Sequence, residues 1–525
     1  MYRNKREKYE KISIFFVLIS ASLLIVSCAQ SRIERVTLAI DNADKFHQSE
    51  EFPFIKLHMQ NGEVYILNSW ENEEQNKLIR GIGKHLDFNR TVIDSGNFSI
   101  HYNDISLIET NKIGGNNPLL VLSIMSGVSI LTTAFCIINP KACFGSCPTF
   151  YISDGNQYKL QAEGFSASVS PSLEDSDIDA LYNIKPACNV LDLQVRNEAL
   201  ETHVIRHVNI LALPKTKKVR VLAAPDGKFF EASNIQGIKY AEDVEGDCTK
   251  KLLAFDGNER FSFTDSSDLA EKETIELEFD TITNNSPKGL IIACRQTLLS
   301  TFLFYQSLAY MGEKAGFYFS QLERKGSILK EFIKYPGEIL KNIEVRQQDS
   351  SGNWIKINQT GESGPIAADI KIVPLNNISA TGKLKLQLRM TKGMWRIDYT
   401  ALADLGKKAA PILIKPSNVL PSKRYSSNVL NLLTNEDSLL VTLPGEKYNI
   451  YYELPDNYKD YEYFIESRGY YLEWIRDAWL TEENPEMVNE MIFNTNQYFK
   501  DLAPEYKKIE AGMEEAFWRS KYVNP

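Results

Sequence analysis

The sequence predicts a mainly β protein with added helices, and three observations carry that reading. Two-residue alternation recurs along the chain: Ile275, Leu277 and Phe279 stand between Glu276, Glu278 and Asp280, and Leu384, Leu386, Leu388 and Met390 between Lys385, Gln387 and Arg389. Turn pairs such as Asn61-Gly62, Asp154-Gly155 and Ser351-Gly352 separate such runs. The 25 Tyr and 26 Phe suit sheets better than helical bundles.

The chain has 525 residues, room for three or four domains at roughly 100–200 residues each. Apolar residues at 43% and charged residues at 24% place it among globular chains. The formal charge is −9. Without its basic first 27 residues the remainder stands at about −12. Nucleic-acid affinity comes largely from Lys and Arg on phosphates, so nucleic acid is set aside as a partner.

Residues 1–11 are basic, and Ile12 to Val26 carry no charge. That apolar run is shorter than the ~20 residues a spanning helix needs and fits the core of a signal peptide. Leu24-Ile25-Val26-Ser27-Cys28 follows, with an aliphatic residue three before the cysteine and a small one just before it. This resembles the lipobox of bacterial lipoproteins. The resemblance implies cleavage before Cys28, acylation of its thiol and anchoring to a membrane. Each buried CH₂ of an acyl chain contributes about 0.8 kcal/mol to such an anchor. Ala29-Gln30 follows in place of an inner-membrane retention Asp, which by the same resemblance favours the outer membrane.

Residues 28–112 read as a small SH3-like barrel. Ile55, Leu57 and Met59 alternate, Asn61-Gly62 supplies a hairpin turn, and Val64 and Ile66 resume the alternation. Residues 113–148 hold an apolar helical segment and a Cys143-Phe-Gly-Ser-Cys147 turn. Pro118 to Ile138 contains no charge and is long enough to span a bilayer. Two readings stay open for it: buried or facing a protein partner, or inserted in the membrane, which would favour the inner membrane. Export places Cys136, Cys143, Cys147, Cys188, Cys248 and Cys294 in an oxidising space. Cys143–Cys147 is the candidate local disulfide, and the remaining connectivity is not readable.

Residues 149–335 predict a β-rich domain with a long buried helix from about Cys294 to Met311. Residues 336–455 predict a β-sandwich, and 456–525 a helical C-terminal cap in which Tyr506, Ile509, Met513 and Phe517 form an apolar stripe.

Signatures of chemistry are weak. No phosphate-binding loop, dinucleotide turn or His-Glu-x-x-His motif occurs. His203 and His207 fall in an alternating stretch, where residues four apart lie about 13 Å from each other, too far to share an ion. Glu163 and the run Glu174-Asp175-Ser176-Asp177-Ile178-Asp179 read as a solvated acidic loop, with a Ca²⁺ loop as the rival. Neither a catalytic residue, a metal nor a cofactor is assigned. Trp354 and Trp395 are the candidate ligand-stacking pair, although aromatic residues on strands are more often core.

The stretches Cys143-Phe-Gly-Ser-Cys-Pro-Thr-Phe-Tyr151, Met394-Trp-Arg-Ile-Asp398 and Glu466-Ser-Arg-Gly-Tyr-Tyr471 resemble a family of outer-membrane lipoproteins from Bacteroidota-type bacteria. The resemblance implies an envelope location and supplies no catalytic residue. The Trp-Arg-Ile-Asp strand is also similar to strands of galactose-binding-like sandwiches. The expectation is therefore a non-enzymatic binding or scaffold lipoprotein, held by lipid at Cys28 and meeting a protein partner through 118–138. A glycan-binding surface protein is the second reading. A hydrolase using carboxylates such as Glu163 and Asp177 is the third.

Overall fold

The computed structural model describes residues 32–38, 48, 52, 54–59, 63–86 and 92–114, and most of 147–519. Within that last stretch 320–338, 376–381, 421–428, 475–479 and some shorter positions fall outside the description. The protein is mainly β, and the chain forms two compact units, residues 1–134 and 135–525.

In the first unit β1 (Arg32–Leu38), β2 (Ile55–Met59), β3 (Val64–Glu73), β4 (Leu78–Leu86), β5 (Val92–His101) and β6 (Ile105–Gly114) make one antiparallel sheet in the order β1-β6-β2-β3-β4-β5. The two end strands are not paired with each other among the described residues, so the small barrel expected over 28–112 is an open sheet. The Asn61-Gly62 turn lies outside the described residues. The strands flanking it pair as expected, His58 opposite Val64, and the Met59 amide donates to the Glu63 carbonyl at 2.9 Å. Alternate residues Ile55, Leu57, Trp70, Ile79 and Ile100 are buried on one face, as a half-buried sheet requires.

The second unit holds a sandwich, a barrel and a further sheet. Sandwich sheet I runs β24 (Asn418–Leu420), β26 (Lys447–Glu453), β10 (Val190–Arg196), β7 (Thr149–Ser153), β8 (Tyr158–Glu163). Sandwich sheet II runs β23 (Ile412–Ile414), β11 (Glu201–Pro214), β27 (Tyr461–Glu473), β9 (Asp175–Ala180), with β25 (Leu440–Thr442) also on β11. Their facing sides share one core containing Phe150, Leu193, Val208, Tyr448 and Ile465.

The barrel closes through β12 (Arg220–Ala223), β13 (Phe229–Gly237), β22 (Trp395–Ala409), β17 (Lys288–Gln296) and β20 (Asp369–Leu375). Its interior includes Ala232, Ala293, Ala401 and Ala403. Five strands enclose a narrow lumen, and small side chains fill it without overpacking. The last sheet runs β15 (Gly246–Asp247), β14 (Tyr240–Asp243), β16 (Lys272–Ile282), β21 (Gly382–Thr391), β18 (Asn342–Gln348), β19 (Trp354–Gly361). Helices α1 (Leu299–Met311), α3 (Pro485–Phe493) and α4 (Thr495–Arg519) share its core. The short α2 (Val429–Thr434) packs on the sandwich.

The alternations at 275–279 and 384–390 are real strands, with the apolar side chains buried. Each such burial contributes about 1.5–3 kcal/mol. In β17 every residue is buried, because one side faces the barrel lumen through Ile291 and Ala293 and the other the helical core through Leu290, Ile292 and Cys294. A strand buried on both sides has no alternation to read. This is why the helix expected from Cys294 starts only at Leu299.

The domain boundaries expected at 335 and 455 cut through these sheets. β10 pairs with β26, β11 with β27, β16 with β21 and β17 with β22. The residues of 336–455 are thus shared among all four sheets of the second unit, and no separate galactose-binding-like sandwich forms over them. The expected helical cap also begins later. Tyr461–Glu473 is a strand, and the helices start at Pro485. There the Asn484 side chain caps the N-terminus by accepting from the Glu486 and Met487 amides.

Candidate functional site

The acidic residues singled out in sequence meet where β8, β9 and β20 come together. Glu163 ends β8 and is 3% exposed. Its Oε2 accepts from the Ile366 amide at 2.8 Å. A Cβ on Gly364 would lie 2.0 Å from that oxygen, so glycine is what lets the chain close over the carboxylate. Asp177 Oδ2 accepts from the Phe165 amide at 3.1 Å. Asp369 Oδ1 accepts from the Ala180 amide at 3.1 Å and the Ile370 amide at 2.8 Å, and its Oδ2 lies 3.1 Å from Lys371 Nζ. Asp179 is buried beside them.

Burial, reinforced by the charge of Asp177, pushes Glu163 up to about 7 against the opposing hydrogen bonds from the Ile366 amide and Cys147. Burial also drives Asp179 well above the usual carboxylate range, with Asp177 and Asp369 adding to it and Lys371 opposing. Burial alone would depress Lys371, but Asp369, Asp177 and Asp179 more than reverse that and hold it firmly charged. These carboxylates gather around a charged lysine inside the protein. A general acid must come within hydrogen-bond reach of substrate, and Glu163 is sealed under Gly364.

The acidic run is therefore not a solvated loop. Residues Asp175–Ala180 form an edge strand, and Glu174 joins Arg206 and Arg468 with contacts at 2.6 and 2.7 Å. Among the described residues no group of three or more His, Cys, Asp or Glu is placed to hold a metal ion. His203 and His207 lie on β11 as the alternation implies, His203 beside Glu201 at 2.7 Å and His207 beside Glu466 at 3.8 Å.

An open cleft of about 370 Å³ lies elsewhere, with Phe261, Phe263, Arg295, Arg396, Tyr506 and Glu510 among its walls. The Arg396 guanidinium stacks 3.8 Å from the Phe261 ring centre. Arg295 grips Glu259 with two hydrogen bonds, at 2.6 and 2.7 Å. Glu510 accepts from the Thr264 amide at 2.6 Å and from Lys507 at 2.8 Å. Glu510 and the nearby Glu259 are both engaged by donors, and the described walls offer mainly aromatic and guanidinium surface.

Cys28, Cys143 and residues 118–138 lie outside the described residues. Cys147 is a buried thiol, and the expected 143–147 bridge involves Cys143, which lies outside the described residues. Burial, then the charges of Glu163 and Glu201, push that thiol well up. The Trp354–Trp395 stacking pair also falls away. Trp395 is fully buried on the barrel strand β22, and Trp354 is half-buried at the start of β19 on another sheet. Among the described residues no helix is long and apolar enough to cross a membrane. The cleft residues Phe261, Phe263 and Arg295 were missed in sequence, because the two aromatic residues stand in an irregular stretch and Arg295 on a strand buried on both sides, and neither setting carries a periodic signal.

No family model matches the chain, and no curated protein matches it. Among solved structures it is similar to a β-porphyranase of glycoside hydrolase family 86 from the human gut bacterium Bacteroides plebeius. The identity is 9% over 49% of this chain and 40% of that one, at a TM-score of 0.16. It is also similar to a GH31 α-xylosidase from Xanthomonas citri, with 8% identity over 83% of this chain and 38% of that one, at a TM-score of 0.14. The VP2 protein of infectious bursal disease virus gives 8% identity over 94% and 90% at a TM-score of 0.12. The chain covers less than half the length of either glycoside hydrolase. TM-scores this low carry no argument about fold or activity.

Proposed function

We propose that the chain is an envelope lipoprotein, anchored by acyl chains on Cys28, whose body is a non-enzymatic binding or scaffold component of a protein complex. The outer membrane is the preferred location, with residues 118–138 as the contact for a protein partner. If 118–138 spans a bilayer, the location becomes the inner membrane. The anchor rests on the ordered sequence of basic residues, apolar run and Leu24-Ile25-Val26-Ser27-Cys28.

Binding is preferred to hydrolysis on one observation. The carboxylates that could serve as an acid pair, Glu163 and Asp177, are spent on backbone amides, and Glu163 is enclosed. Mass spectrometry of the protein purified from membranes tests the anchor, with an acylated Cys28 as the new N-terminus expected and an unmodified thiol or intact leader refuting it. Detergent solubilisation followed by co-purification tests the role. A stoichiometric partner lost on deleting 118–138 supports it, and recovery of the intact chain alone and monomeric counts against it.

A further inference from the structure

The open cleft of about 370 Å³ is large enough for a small organic molecule, since ligand pockets begin at about 300 Å³. Separate parts of the second unit build it. The irregular stretch before β16 brings Phe261 and Phe263. The end of β17 and the start of β22 bring Arg295 and Arg396, and α4 brings Glu510 and Met513. Leu298, just before α1, lines it as well.

Arg295 and Arg396 stand directly opposite each other in the β17–β22 register. Like charges so placed destabilise a sheet, and packing does not require them. Glu259 lies against both, accepting from Arg295 at 2.6 and 2.7 Å and from Arg396 at 3.4 Å. The Phe261 ring holds the Arg396 guanidinium flat, 3.8 Å from its centre. A side chain fixed in advance loses little freedom when a ligand arrives. The other acids nearby are turned to donors of their own. Asp398, two residues along β22, accepts from the Asp256 and Gly257 amides at 3.4 and 2.9 Å. Glu510 accepts from the Thr264 amide and from Lys507, whose Nζ lies 5.2 Å from the Phe263 ring centre.

These walls select a ligand by charge and by polarity. Guanidinium groups only donate, so the group that suits them is an acceptor, and an anionic one best. The positive end of α1 begins beside Leu298 and favours the same sign. Glu259 and Glu510 stand close by, so a singly charged anion is repelled less than a doubly charged one. The remaining wall is apolar: Leu298 and Met513 line it with Phe263, which is 49% exposed. An inorganic ion would leave that surface wet, whereas an apolar body would cover it. We propose that the cleft binds a small organic carboxylate with an apolar body. Arg396 meets the carboxylate, and Phe263, Leu298 and Met513 meet the body. The proposal goes beyond the reading of the chain as a scaffold. It needs neither the anchor nor residues 118–138, and its failure would leave that reading standing.

The test is isothermal titration calorimetry of the full chain in detergent, referenced to protein-free micelles. The probes are octanoate and phenylpropanoate, with octanol and phenylpropanol as uncharged counterparts and acetate as the anion without a body. At least one of the two acids should bind saturably at one site, and its alcohol and acetate should bind far more weakly. Octanoate alone would identify an aliphatic body, and phenylpropanoate alone an aromatic one. Arg396→Gln should weaken binding roughly tenfold, as loss of a charged hydrogen bond does. Phe263→Ala, at an exposed position that folding tolerates, should weaken it several-fold and stands in if the Arg396 variant does not fold. Binding of neither acid, an alcohol or acetate matching its acid, or wild-type affinity in the folded variants would overturn the proposal.

Discussion

Replacing Glu163 by Gln removes one titrating group from the buried junction while keeping an oxygen for the Ile366 amide. In the folded protein burial raises this carboxyl to about 7 from an ordinary value of 4.5. A raised carboxyl holds its proton in the folded chain after the unfolded chain has released it. Unfolding free energy therefore falls as pH rises from about 4.5 to about 7 and is flat on either side. At about 1.4 kcal/mol per pKa unit, the loss across that window is about 3 kcal/mol.

The amide of the Glu163→Gln variant does not titrate. The difference in stability between variant and wild type should thus shift by about 3 kcal/mol in the variant's favour between pH 4.5 and pH 8. Asp179 and the other carboxylates titrate in both proteins and cancel to first order. Urea unfolding at half-unit pH steps, followed by far-ultraviolet circular dichroism, measures the difference. Parallel curves, with an offset constant to within about 1 kcal/mol, would refute the argument that Glu163 is sealed from water.

Three further substitutions probe the same architecture. Gly364→Ala sets a methyl group against the Glu163 carboxylate, where a Cβ would lie 2.0 Å from Oε2. A melting temperature lowered by several degrees is expected, and part of the loss should be recovered when Glu163 is shortened to Ala in the same chain. Glu273→Gln breaks the buried pair in which Arg260 Nη2 meets Glu273 Oε2 at 2.8 Å and Arg260 Nε meets Asp243 at 2.7 Å. Leaving Arg260 partly uncompensated should cost about 3–5 kcal/mol in urea unfolding. Trp395→Ala empties a fully buried site between the barrel and its neighbours and should cost about 3–5 kcal/mol in urea unfolding.

Sequence alone determined whatever depends on short-range pattern. Alternation placed the strands at 275–279 and 384–390, because one face of each is buried and the other meets polar surroundings. It also placed His203 and His207 on a strand and so excluded their sharing an ion. The proposed export signal rests on equally local pattern. Tertiary structure decided what depends on partners far along the chain. Lys288–Gln296 is buried on both sides and shows no period, and Tyr461–Glu473 is a central strand only because β11 and β9 flank it. The buried carboxylates looked solvated because hydrophobicity scales assume unpaired charges. Asp369, Ile366 and Lys371 lie about 200 positions from Glu163 and Asp179, and only the fold brings their amides and charge to bear. Sandwich sheet I is assembled the same way, from strands near residues 150, 190 and 450 that meet only through register.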